Sequence, residues 1–106
     1  MSLRIETNLN EIEELWTVKV IGEIDIESTK KLKEELNRIS ESGNYGLSFD
    51  CSDLEYIDST GIGTFIFYFK RIKEKGMDAK FEFTNLRPNI YKIFRITGLD
   101  KIFTIR

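Results

Sequence analysis

"YIDSTGIG", residues 56–63, runs directly into "TFIFYFKRIKEKG", residues 64–76, and the join between the two decides the fold. In the second stretch, Ile62, Phe65, Ile66, Phe69 and Ile72 recur at helical spacing, which predicts an amphipathic helix closed by Gly76. The polar stretch "SDLEYIDSTGIG" (52–63) reads as a loop, and "GLSFDC" (46–51) before it as a short strand. A strand, a loop and a helix in that order put Asp58, Ser59 and Thr60 where the first backbone N–H groups of the helix have no partner inside it. All three residue types are favoured helix caps, worth about 1 kcal/mol, and Gly61 and Gly63 would ease a tight turn into the helix.

Outward from this junction the pattern repeats. Upstream, Leu3–Thr7 and Leu15–Ile21 are rich in apolar and β-branched residues and read as strands joined by "NLNEIEE". "TKKLKEELNRISESG" (29–43) sets Leu32, Leu36 and Ile39 on one face, with Gly43 past the last turn, and reads as a helix. Downstream, "AKFEFTN" (79–85) alternates like a strand. "RPNIYKIFRITG" (87–98) opens with Pro88 and stops at Gly98, with Leu99 placed to complete the cap, and "KIFTI" (101–105) is a last short strand. Strand-helix-strand units favour parallel pairing, so the expectation is an α/β fold: a mixed sheet of about five strands with helices packed on it. No internal repeat or linker composition interrupts residues 1–106, which read as one domain.

The 106 residues are 41% apolar and 32% charged, an ordered globular profile, and the net charge of −2 provides no broad positive field for nucleic acid or an anionic membrane surface. The longest apolar run, Phe65–Phe69, falls far short of the roughly 20 residues a membrane helix needs. Cys51 is the sole cysteine and histidine is absent, so neither an internal disulfide nor a structural zinc site is expected, and a reducing, cytoplasmic setting suits the chain. No heptad seam appears, which makes a monomer the expectation.

Four chemistries compete for Ser59. A nucleophile needs a base within hydrogen-bond reach, but there is no histidine, and the nearest downstream lysine, Lys70, lies about 16 Å along the helix at roughly 1.5 Å per residue. A phosphate cradle of the GxGxxG type fails because Ile66 stands where the third glycine belongs. A plain helix cap stays open. So does modification: a phosphate would bring a charge of about −1.5 to −2 to a helix N-terminus able to tolerate it, and into any interface the loop forms.

The element order, with "GEIDI" (22–26), "YIDSTGIG" (56–63) and "RITGLDKIF" (95–103), resembles the STAS domain of bacterial anti-sigma factor antagonists, or anti-anti-sigma factors, over nearly the whole chain. The D-S-[ST]-G-x-G loop is its most specific part. The resemblance implies a non-enzymatic regulator that, unphosphorylated, binds an anti-sigma factor and frees the sigma factor. It implies phosphorylation at Ser59 by that anti-sigma factor, itself a serine kinase that brings its own ATP and magnesium, and reversal by a serine phosphatase. No cofactor of its own is implied. Asp58, Thr60, Gly61 and Gly63 fall in the partner-binding loop, and Glu23 and Asp25 on the docking edge. The competing reading is a STAS-like subunit of a stress-sensing or membrane transport assembly, in which "DSTG" is only a structural cap.

Other features carry structural readings beside functional ones. Glu23, Asp25, Asp50 and Asp58 could converge at one sheet edge, as magnesium would require, or be solvated loop acids and caps. In "FIFYF", Phe67 and Tyr68 point partly away from the core stripe, and either pack under a neighbouring element or form a docking ridge beside Ser59. Cys51 and Trp16 read as core. Lys30 with Glu34, and Lys31 with Glu35, have the spacing of helix-surface ion pairs.

Overall fold

The computed structural model describes residues 2–74 and 79–106. Its elements run β1 (Leu3–Asn10), β2 (Leu15–Ile24), α1 (Thr29–Glu41), β3 (Gly46–Asp50), β4 (Leu54–Ile57), α2 (Ser59–Glu74), β5 (Phe81–Thr84), α3 (Pro88–Ile96), a 3-10 turn (Leu99–Lys101) and β6 (Thr104–Ile105). The sheet is mixed: β1 pairs antiparallel with β2, and the order β1-β2-β3-β5-β6 continues in parallel. The helix stop read at Gly76 lies outside the described residues.

Among the described residues the sheet has six strands rather than about five. The additional one, β4, is the segment Leu54–Ile57 that the polar pattern assigns to a loop. Among the described residues its ladder is to the last residues of β2, where a register shift between Gly22 and Glu23 lets Glu23 face Tyr56 and Ile24 face Ile57. β3 holds the first half of β2 and β4 the second. Glu23 therefore lies within a strand instead of following one, and β1 likewise runs on to Asn10, through part of the predicted turn. The last strand is shorter than predicted, because Leu99–Lys101 coils into the 3-10 turn.

The apolar periodicity is realised in the packing. Leu32, Leu36 and Ile39 are buried under α1, and Ile90 and Phe94 under α3. Phe49, Phe65 and Phe83 form the centre, with ring centroids 4.9–5.0 Å apart, and Phe103 joins them 5.0 Å from Phe83. Each fully buried ring contributes about 1.5–3 kcal/mol relative to exposure. Cys51 and Trp16 sit in this core as expected. Gly98 ends α3 in the left-handed region at φ 78°, which a side chain would strain, and Leu99 is buried just beyond it.

Of the two readings open for Phe67 and Tyr68, Tyr68 takes the first: it is buried under α1, and its hydroxyl bonds the Asn37 side chain, tying α2 to α1. Burial also raises its pKa, since the phenolate would lose hydration. On α1, the Lys31 ammonium donates to the Leu3 carbonyl at 2.9 Å rather than to Glu35, and Glu35 pairs with Arg38 at 2.7 Å. The long lysine reaches the edge of β1, and the shorter span to Arg38 suits Glu35 better.

Candidate functional site

The register of β2 against β4 builds the site. Ile24 lies opposite Ile57, and the Asp58 N–H donates to the Ile24 carbonyl at 3.1 Å. The chain leaving β2 at Asp25 and the chain leaving β4 at Asp58 therefore emerge side by side, each into a helix start.

At the start of α2, Asp58 is the cap. Its Oδ1 accepts from the Thr60 N–H at 3.0 Å, from the Gly61 N–H at 3.2 Å and from the Thr60 hydroxyl, while its carbonyl accepts the first helical bond from Ile62. The Thr60 hydroxyl, with help from the Gly61 and Thr60 N–H groups, holds the Asp58 carboxyl below the usual carboxylate range, against the opposing charge of Asp25. Among the possible caps Asp58 wins because it has no proton to place and can accept three donors at once. Ser59 does not cap. It is exposed, and among the described residues nothing bonds its hydroxyl.

Asp25 closes the turn that leads into α1, bonding residues just ahead of the helix where Asp58 bonds residues inside one. Its Oδ1 accepts from the N–H groups of Glu27 (3.1 Å) and Ser28 (2.9 Å) and from the Ser28 hydroxyl side. The Ser28 N–H and hydroxyl, before the Glu27 N–H, lower the Asp25 pKa. Ser28 Oγ also accepts from the Asp25 N–H at 2.8 Å and lies 2.9 Å from the Glu23 carbonyl. Ser28 is a site residue the sequence reading passed over, although a serine just ahead of a helix is a standard capping signal. Glu23 is half-buried on β2.

The two glycines of the loop differ. Gly61 is buried, and a Cβ there would stand 2.6 Å from Ile24 Cγ2 and 2.8 Å from Ile57 Cγ1, so close packing demands glycine. Gly63 is exposed and has nothing within 4 Å of where a Cβ would be, so it does not serve a tight turn. Asp50 stays apart from the cluster: it accepts from the Ser52 N–H and from Asn85, and although burial opposes it these bonds lower its pKa. Among the described residues no three His, Cys, Asp or Glu side chains stand close enough to hold a metal.

Phe67 is 54% exposed on α2 and Ile26 68% exposed beside Asp25, so each helix start is followed or preceded by apolar surface. Next to them, Lys33 and Asn37 of α1 face Thr60, Gly63, Phe67 and Arg71 of α2 across a groove. Only packing brings Lys33 and Asn37 here, and no local motif announces them.

The STAS domain family model matches residues 6–106. A relative named anti-sigma-B factor antagonist, from Bacillus subtilis (strain 168), is 36% identical over 105 residues, covering 99% of this chain and 90% of its own length. The crystal structure of a candidate anti-sigma factor antagonist from Thermotoga maritima superposes with a TM-score of 0.83 at 20% identity, covering 95% of this chain and 84% of its own. The anti-sigma factor antagonist SpoIIAA of Bacillus, at 16% identity, matches with a TM-score of 0.78 unphosphorylated (99% and 88% covered) and 0.71 phosphorylated (99% and 91%). At these identities the three structures speak for the fold alone.

Proposed function

This chain belongs to the STAS domain family, and from that premise we propose that it is an anti-sigma factor antagonist whose binding is switched at Ser59. In the unphosphorylated form it binds an anti-sigma factor that is also a serine kinase, and so releases the sigma factor. The kinase supplies ATP and magnesium and phosphorylates Ser59, the complex separates, and a serine phosphatase resets the switch.

The observation that carries this reading is the division of labour at the head of α2, where Asp58 caps the helix and Ser59 is exposed with a free hydroxyl. A phosphate can be attached and removed there without breaking any bond that holds the fold. Its charge would join Asp58 and Asp25, both held ionised by their hydrogen bonds. A partner that buried the neutral hydroxyl would then face an uncompensated charge, which costs several kcal/mol. The competing idea, that "DSTG" is retained only as a cap, leaves Ser59 without a role, because the capping atoms belong to Asp58.

The test is to incubate the protein with the cognate anti-sigma factor kinase and ATP and to locate the phosphate by mass spectrometry. Modification of Ser59, with loss of the complex, is the expected result. Phosphate on another residue, or none with a kinase active on a control substrate, would overturn the proposal.

A further inference from the structure

Gly63 lies inside α2 with an ordinary helical backbone, and apart from the adjacent turns of its own helix no atom of the described residues stands within 4 Å of the position its Cβ would take. Glycine in a helix interior is less stable than alanine, because it loses more backbone freedom on folding. Gly61, two residues earlier, is required by Ile24 and Ile57, whereas nothing within the described residues requires Gly63. What its missing side chain does create is a hollow on the helix surface. Ser59, Gly63 and Phe67 follow one another at four-residue spacing, so the hollow lies on the stripe that starts at Ser59.

The hollow opens into the groove between α1 and α2. Phe67 provides an exposed aromatic face, and the Arg71 guanidinium lies 5.7 Å from its ring centre and 5.8 Å from that of Tyr68. Lys33 stands on the α1 side. Neither Lys33 nor Arg71 has an acidic partner among the described residues. The result is an apolar and glycine floor between two uncompensated cations, with one end at Thr60, the residue next to Ser59 in the chain.

We infer that this groove is the seat of an acidic segment of the anti-sigma factor partner, which packs its chain over Gly63 and against Phe67 and directs its carboxylates to Lys33 and Arg71. The inference rests on the function proposed above. It also supplies the lever of the switch: a phosphate on Ser59 places about −1.5 to −2 charge at the groove mouth, of the same sign as the segment that must enter. Release then follows from repulsion along the groove as well as from the buried charge itself.

The experiment measures melting temperature and affinity for the cognate anti-sigma factor kinase in the wild type, Gly63→Ala, Phe67→Ala and Arg71→Glu. Gly63→Ala is expected to melt higher than the wild type yet bind at least tenfold more weakly, a pairing that a purely structural role cannot produce. Phe67→Ala and Arg71→Glu are also expected to bind at least tenfold more weakly, and the wild-type affinity to fall with added salt more steeply than that of Arg71→Glu. A lower melting temperature for Gly63→Ala would show that the fold needs this glycine and would overturn the inference, as would unchanged affinity in Gly63→Ala and Phe67→Ala. If the wild type itself fails to bind the kinase, the proposed function falls and the groove assignment with it. A wild type that binds, with variants that bind equally well, removes the groove alone.

Discussion

The Asp58 carboxylate reaches forward over Ser59 to take the backbone N–H of Gly61 at 3.2 Å, and in doing so relieves Ser59 of any structural duty. Helix capping and chemical availability are thereby separated onto adjacent residues, so each can be changed without the other.

Ser59→Ala should therefore fold with a stability within about 0.5 kcal/mol of the wild type, the usual range for a surface change that breaks no named interaction. It should bind the anti-sigma factor and no longer be released by ATP. Ser59→Asp should weaken the complex by roughly 2–4 kcal/mol if the loop is buried at the interface. Urea denaturation and calorimetric titration check the two halves, and equal affinities for all three forms would place the switch elsewhere.

Asp58→Ala should lose the cap and about 1 kcal/mol of stability. The sign with pH follows from the lowered pKa values of Asp58 and Asp25. A carboxyl whose folded pKa is depressed contributes stability fully above its unfolded pKa of about 3.9, and that contribution fades as pH falls through the folded value. The gap in urea midpoint between the wild type and Asp58→Asn should thus be widest near neutrality and narrow on acidification below about pH 4. A gap that widened in acid would contradict the capping geometry.

Gly61→Ala should destabilise the fold by about 1–3 kcal/mol, because its methyl group would press on the buried side chains of Ile24 and Ile57. Set beside the expected gain from Gly63→Ala, this gives opposite shifts in melting temperature from the same substitution two residues apart. Thermal unfolding followed by circular dichroism is sufficient to read both.

Cys51 should be inert in the folded protein. Burial, reinforced by the neighbouring Asp50 charge, pushes its thiol up to about 12, and the thiolate is the reactive form. A thiol reagent at pH 8 should leave the native protein unlabelled and react fully in denaturant. Rapid labelling of the native state would mean that the core under β3 opens readily.

Much of this architecture is legible in the chain. The three helices are visible because their apolar residues recur at a period near 3.6, and that pattern needs only one buried face to explain it. The loop "DSTGIG" stands out as a strand-to-helix junction because its residue types all suit a helix start. β4 escapes notice for the converse reason: four residues with two exposed, Glu55 and Tyr56, carry no strand pattern of their own. It is a strand because β2 outruns β3, and the register shift after Gly22 offers β4 the backbone groups left over. Spacing along α2 leaves Tyr68 with two possible places, and α1 decides between them: the Asn37 side chain that receives its hydroxyl lies 31 residues away in sequence.

The sequence by itself determined the α/β class, the helix faces and the identity of the loop, since these follow from periodicity and local turn chemistry within about a dozen residues. Which hydroxyl is free, which carboxylate caps, and which glycine is needed inside and which is not were decided only by the tertiary structure. Asp58, Ser59 and Thr60 are equivalent as capping candidates until the β4 register fixes the angle at which the chain enters α2. Gly61 and Gly63 are likewise indistinguishable in sequence, until Ile24 and Ile57 close over one and leave the other open toward Lys33 and Phe67.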